Sequence, residues 1–328
     1  MTNDKIILGH GSGGRLTQEL VRDLFCKHLG AAGPSSLDDS AVLDFPEGKL
    51  VYTIDSYVVS PLEFPGGDIG TLCVAGTVND LAVMGARPLW LSLGVILEAG
   101  LSFQTLEKIV QSIARTAETA GVQIVCGDTK VVEHGKGDGI YINTSGVGVL
   151  TAACSPETIQ PGDQILVSGT IGDHGMTLLT LRKGFEVEAD LQSDCAPLNG
   201  LIESVTSEIG VKWMRDPTRG GVATALNELA AGREWGILLQ EESLPFSEPV
   251  RGLEELLGLD PLYSANEGKV LLVVSADDAE KALARLGGEA AVIGEVTAEH
   301  AGKVVLRTAM ETLRTIGILT SDPLPRIC

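Results

Sequence analysis

The chain has 328 residues, enough for two domains at ~150 residues each. Its 44 acidic residues outnumber 24 basic ones, a formal charge of −20, and aromatics make up only 4%. Such a chain repels phosphate backbones and has few rings on which to stack bases, so general nucleic-acid binding does not fit. At 44%, hydrophobic residues are sufficient for a core and argue against global disorder.

Membrane insertion and secretion do not fit either. Residues 1–14 have no apolar h-region and no basic flank. The longest uncharged stretch, residues 139–156, contains Asn143, Thr144, Ser145 and three glycines, and alternates as a strand does. The six cysteines, at 26, 73, 126, 154, 195 and 328, form no CxxC pair. Reduced thiols in a soluble cytoplasmic protein are the expectation.

In chain order, a short apolar segment (5–8) enters Gly9-His10-Gly11-Ser12-Gly13-Gly14. A helix follows in which Leu16, Leu20, Leu24 and Phe25 share a face, ended by Gly30 and Gly33. A strand is expected over 50–55 and a helix over 69–84, stopped by Gly85 and Pro88. Ser102 caps a further helix carrying Leu106, Ile109, Val110, Ile113 and Ala117 on one face. A strand over 122–126 is expected to close on Gly127-Asp128-Thr129. Strands alternating with helices predict an α+β or α/β chain in two domains. Pro156 and Pro161 bracket a polar stretch that places the boundary near 154–162.

The glycine segment 9–14 matches GxGxxG, which lets backbone N–H groups approach a phosphate. Its preceding strand is short and the acidic pair Asp38-Asp39 lies beyond ~20 positions, so a Rossmann reading is poor. No Gly-Lys-Ser/Thr follows, which excludes a Walker A loop; phosphate contact and a simple N-terminal turn remain open. Aspartates at element ends or on helix faces are more informative: Asp39, Asp55, Asp80, Asp128 and Asp216. Asp80 interrupts an otherwise apolar helix, where a carboxylate must face solvent, find a partner or bind a cation.

Five strings occur in a recognisable order. They are Asp39-Ser40-Ala41-Val42, the segment from Asn79-Asp80-Leu81 to Pro88, Gly127-Asp128-Thr129-Lys130, Asp216-Pro217-Thr218-Arg219-Gly220-Gly221, and Asn266-Glu267-Gly268-Lys269. Together they resemble the aminoimidazole ribonucleotide synthetase-related (PurM-like) ATP-using superfamily over nearly the whole chain. The resemblance implies a flexible glycine-rich segment and first helix (1–40), an ATP-binding domain that forms a homodimer by sheet pairing (41–154), a C-terminal α/β domain (155–320) and a mobile tail (321–328). It implies Mg²⁺ ligands at Asp39, Asp55, Asp80 and Asp216. It also implies ATP contacts at Gly11, Gly13, Gly14, Asn79, Asp80, Asp128, Thr129 and Arg219.

The chain ends Pro323-Leu324-Pro325-Arg326-Ile327-Cys328. Two prolines favour an extended path, and at ~3.1 Å per residue eight residues reach about 25 Å. The terminal carboxylate should oppose thiolate formation at Cys328, and Arg326 should favour it. This ending, with Val132-Glu133-His134-Gly135-Lys136, resembles the hydrogenase-maturation carbamoyl dehydratase family. That resemblance implies a self-modifying enzyme that receives a carbamoyl group on Cys328 from HypF. With ATP it would dehydrate the group to a thiocyanate, whose cyanide passes through the HypC–HypD complex to a nickel–iron site. Lys130 would stabilise developing charge and Glu267 would accept the amide proton, with His134 the alternative base. Docking of the tail is expected to depend on ATP. A kinase or cyclase of the same superfamily, of the selenophosphate or thiamine-phosphate type, is the alternative. Residues 9–17 lack the reactive Cys and Lys of selenophosphate synthetases. A non-catalytic assembly partner is the second alternative.

Overall fold

The computed structural model describes residues 4–30, 40–185, 190–319 and 326–328. The chain opens with a helical stretch comprising α1 (Arg15–Leu20), a π-helical Val21–Cys26 and α2 (Lys27–Leu29). It buries Leu20, Leu24 and Phe25, and Gly30 ends it in the left-handed conformation. The first half then runs β1 (Leu50–Tyr57), β2 (Glu63–Phe64), β3 (Gly67–Asp68), α3 (Ile69–Val83), β4 (Ala86–Glu98), α4 (Phe103–Ala120), β5 (Gln123–Val132) and β6 (Ile140–Leu150). Its sheet has the order β1-β6-β4-β5, with only β4 and β5 parallel.

Both long helices start where side chains cap them. Asp68 accepts from the Thr71 N–H at 2.8 Å and Ser102 from that of Thr105 at 3.0 Å. Helix α4 buries the stripe of Leu106, Ile109, Val110, Ile113 and Ala117. Helix α3 is buried almost all round, packed between the sheet and α4. Along β1 the residues alternate: Thr53 faces α3, while Leu50, Tyr52 and Ile54, each 58% exposed, form an open apolar face. Cross-strand register puts Ile96, Asp128 and Lys130 on that same face.

Two expectations change here. The strand over 122–126 does not close on Gly127-Asp128-Thr129. Parallel pairing with Leu93 to Glu98 carries it on to Val132, so Asp128, Thr129 and Lys130 lie within a strand. Pro88 stops no helix; it sits in β4, at the irregular register between Pro88 and Trp90, where a missing N–H is tolerated.

The second half comprises β7 (Gln164–Val167), α5 (Asp173–Lys183), α6 (Asn199–Thr206), β8 (Trp213–Arg215), α7 (Gly221–Ala230), β9 (Gly236–Gln240), α8 (Glu248–Leu257), β10 (Leu271–Val274), α9 (Ala279–Leu286), β11 (Ala291–Thr297), β12 (Val304–Arg307) and β13 (Leu313–Ile316). Its seven-stranded sheet has the order β13-β12-β9-β11-β7-β10-β8, with β9 and β12 parallel. The sheet is covered on both faces: Ile165, Leu271 and Val273 enter one core, and Leu166, Leu272 and Val274 the other. Met176, Leu179, Val250 and the tail residue Ile327 join the core of the first half. The two halves are therefore welded by apolar burial, and the groove between them is held in place.

The turn from α3 into β4 depends on Gly85. Its φ is +78°, and a Cβ there would lie 1.6 Å from the Ala152 carbonyl oxygen. Gly85→Ala is expected to lower stability by about 2–4 kcal/mol. Urea unfolding should show a lower midpoint at unchanged m-value; an unchanged midpoint would contradict this packing.

Candidate functional site

The halves enclose a cleft of roughly 600 Å³. Strand β1 brings Asp55, α3 brings Asp80, the turn after β8 brings Asp216 and Arg219, and the loop before β10 brings Glu267; Cys328 enters from the chain end. Asp55 lies within β1, not at a strand end. Thr53 donates its hydroxyl to Asp80 at 2.8 Å, and the buried Tyr57 hydroxyl reaches Asp55 at 3.3 Å and Thr77 at 3.1 Å.

The electrostatics follow from burial. Desolvation, then the negative charge of Asp80, pushes Asp55 up to about 6. The same two causes push the buried Asp216 up to about 7. Glu267, only 2% exposed, is driven well above the ordinary carboxylate range by burial and by Asp216, Asp194 and Asp55, with Arg219 opposing. Its Oε1 has no hydrogen-bond partner among the described residues. That orphaned, buried oxygen, facing aspartates that repel one another, fits a site that receives a cation or a polar substrate group.

Glu267 is held by its backbone. Its N–H donates to Asp194 Oδ1 at 3.0 Å, and Asp194 also takes Asn266 Nδ2 at 3.0 Å and Lys269 at 3.3 Å. Gly268 allows this approach, because a Cβ there would lie 1.7 Å from the Asp194 carbonyl oxygen. Asn79 is buried and pins the same loops, donating to the Ala196 and Glu267 carbonyls at 3.1 and 3.3 Å and accepting from the Leu198 N–H at 2.7 Å.

The chain end is docked. The Val58 N–H donates to a Cys328 carboxylate oxygen at 3.1 Å and the Ser60 N–H to the Arg326 carbonyl at 3.3 Å. His174 Nε2 lies 2.7 Å from the Ile327 carbonyl, and the Ile327 side chain is 1% exposed. The expectation that Arg326 promotes thiolate formation meets a different arrangement: its guanidinium is engaged by Asp138 and by the Val58 carbonyl. At Arg326 the backbone turns, with φ +61°, where an extended path was expected; residues 321–325 lie outside the described residues.

The other predicted residues divide. Asp39 lies outside the described residues. Asp128 and Lys130 pair with each other at 2.6 Å on exposed edge strand β5, beside Thr129. Three strand spacings of ~4.8 Å put that edge ~14 Å from β1. Gly11 packs against the Val131 backbone of this edge strand, while Gly13 and Gly14 follow it in the chain without touching β5. His134 is exposed, its Nδ1 3.2 Å from both the Ala99 carbonyl and Glu98. None of Gly11, Gly13, Gly14, Asp128, Thr129, Lys130 and His134 lines the cleft of its own chain. Among the described residues, no three His, Cys, Asp or Glu side chains are close enough to hold a metal by themselves. Asp194 and His174 escaped the sequence reading because neither lies in a periodic pattern or motif; their partners are distant in sequence.

Residues 37–150 match the AIR synthase related protein, N-terminal domain, and residues 160–307 its C-terminal domain. The chain is 46% identical to carbamoyl dehydratase HypE of Azotobacter vinelandii, over 100% of this chain and 98% of that one. The crystal structure of hydrogenase maturation protein HypE in complex with ATP superposes with a TM-score of 0.93 at 46% identity, covering 98% of this chain and 99% of that one. A crystal structure of the HypE–HypF complex gives 0.79 at 45% identity, covering 93% of this chain and 100% of that one.

The raised pKa of Asp216 has a definite sign. The folded state keeps its proton up to about 7, while the unfolded state loses it near 4. Over that window the folded state binds more protons, so its contribution to stability falls as pH rises. Asp216→Asn should therefore match the parent below pH ~4 and gain about 4 kcal/mol over it at pH ~8. Denaturation at the two pH values checks this; an equal difference at both would contradict the assignment.

Proposed function

The chain belongs to the AIR synthase related proteins and, among them, to the carbamoyl dehydratase HypE family, and on that footing we propose that Cys328 carries the substrate. HypF transfers a carbamoyl group to the Cys328 sulfur, and ATP dehydrates the resulting S-carboxamide to a thiocyanate. HypC–HypD accepts the cyanide for a nickel–iron hydrogenase site. The observation that carries this reading is the seat of Cys328 in a cleft that already holds Asp55, Asp80, Asp216 and Glu267. A sister kinase or cyclase with a diffusible substrate has no use for a terminal thiol docked there. A reducing cytoplasm would keep that thiol available.

The carboxamide oxygen is a poor leaving group, so it takes the γ-phosphoryl group of ATP and departs as inorganic phosphate while nitrogen loses both protons. Thiocarbamate and ATP thus give thiocyanate, ADP and phosphate. Mg²⁺–ATP, with Asp39, Asp55, Asp80 and Asp216 as ligands, would supply the phosphoryl group and the positive charge that the aspartates lack. The tail positions the reacting carbon as an intramolecular substrate. Glu267, deprotonated at the point of use, is a strong base because burial raises its pKa. Arg219 favours its ionised form.

Lys130, Asp128, Thr129 and the glycine segment stand at the far edge of the first sheet. Its open face, bearing Tyr52, Ile54 and Ile96, is the surface through which two copies pair, with the 41–154 domain as the dimerisation domain. Pairing brings Lys130 of one protomer to the cleft of the other, where it stabilises developing negative charge.

Two experiments test these roles. Glu267→Gln should retain ATP binding, yet leave the carbamoyl adduct on the Cys328 peptide intact by mass spectrometry; normal thiocyanate formation would remove Glu267 as the base. Lys130→Ala and Glu267→Gln chains, each inactive alone, should recover activity when mixed as heterodimers. Such a dimer holds one cleft with both groups, whereas absence of recovery would place Lys130 outside the partner's site.

A further inference from the structure

The last three residues present two carbonyls and the terminal carboxylate, and the first carbonyl and the carboxylate point to the 58–60 segment. Arg326 O takes the Ser60 N–H and an Arg182 N–H, and Cys328 O takes the Val58 N–H. The Ile327 carbonyl points the other way, into protein, where this ladder offers no donor. There it meets His174 Nε2 at 2.7 Å. A carbonyl only accepts, so Nε2 carries the hydrogen. Nδ1, 2.7 Å from Ser193 Oγ, then accepts the serine hydroxyl, and Ser193 Oγ in turn accepts the Cys195 N–H at 3.1 Å. His174 is fully buried, Ser193 nearly so, and the ring stands edge-on to Phe64 at 5.5 Å. Burial outweighs the opposing pull of Asp194 and of the Ile327 carbonyl, and with a smaller push from Arg182 it keeps the imidazole below its ordinary pKa.

We infer that His174, fixed by Ser193, is a positioning residue that sets the register of the docked tail and so places the Cys328 substituent over Glu267. A slip of one residue along the 58–60 edge would move Cys328 by ~3.3 Å and turn its side chain to the opposite face. The Nε2–H of His174 engages a single carbonyl of the tail, that of Ile327. The loop that orients His174 through Ser193 also holds the base, since the neighbouring Asp194 binds the Glu267 N–H. One short loop therefore locates both the tail and the group that acts on it. The role of His174 in turnover rests on the dehydratase reading; its role in seating the tail does not.

The test uses full-length protein carbamoylated by HypF and two readouts. The first is single-turnover, ATP-driven dehydration at Cys328. The second is alkylation of uncarbamoylated Cys328 by iodoacetamide, followed on its peptide. His174→Phe should slow dehydration about tenfold and speed alkylation about tenfold, the worth of one buried hydrogen bond, while ATP affinity stays within about twofold. His174→Gln, whose amide N–H can reach the same carbonyl, should restore both to within about threefold. Ser193→Ala keeps the ring but frees its orientation, and serves if the phenylalanine variant does not fold; about threefold changes in both readouts are expected. Parent-like alkylation and dehydration in His174→Phe, or in Ser193→Ala where the former is unfolded, would overturn the inference. Altered alkylation without any dehydration in the parent would overturn the dehydratase reading and leave the seat of the tail standing.

Discussion

Burying carboxylates beside one another is the constraint on which the rest of this structure depends. Asp55 and Asp216 both have raised pKa values because each is desolvated and each senses Asp80. Glu267 lies deeper and senses Asp216, Asp194 and Asp55. Among the described residues, Arg215 and Arg219 oppose this charge only in part. Such a cluster is unfavourable for the folded chain alone and becomes favourable only with positive charge and a substrate present. The surrounding fold holds it in place. Thr53 and Tyr57 fasten the aspartates from β1, and Asn79 ties α3 to the loop that carries Glu267.

The chain terminus is part of the same construction. Ile327 is buried in the core shared by the two halves, so the tail is anchored by apolar packing as well as by hydrogen bonds. Burial of an isoleucine side chain contributes about 1.5–3 kcal/mol, enough to hold three residues in place and little enough to be reversed. Reversibility matters to the proposed chemistry, because the cysteine must reach HypF and then return to the cleft. Asp138, in the segment after β5, engages Arg326 at the rim. The segment from Gly127 to Asp138 thus contributes to the tail's seat as well as to the edge strand.

Much of this was legible in the sequence, and the exceptions are physically instructive. Helix α4 followed from its Ser102 cap and the Leu106-to-Ala117 stripe, and α3 from its apolar spacing, all of them local signals. Asp80 stood out as a charge in an apolar helix, and it does face the cleft. The segment Gly127-Asp128-Thr129 read as a turn because those residue types favour turns; parallel pairing with β4 overrode that preference. Motif order grouped Lys130 with the cleft aspartates but could not show that two strands, β6 and β4, lie between β5 and the cleft strand β1. Asp194 and His174 were invisible for the same reason: their partners, Glu267 and Ile327, are brought close only by the folded chain.

The central claim is that the terminal cysteine and the nucleotide share the aspartate-lined cleft, and proximity can be measured directly. Protein carbamoylated at Cys328 with ¹³C-carbamoyl phosphate and HypF would be titrated with Mn²⁺ and a non-hydrolysable ATP analogue while the carbamoyl carbon resonance is followed. Strong paramagnetic broadening that requires the nucleotide and is lost in Asp80→Asn and Asp216→Asn proteins is the predicted result. A carbamoyl resonance that stays sharp with nucleotide and Mn²⁺ bound would contradict the account.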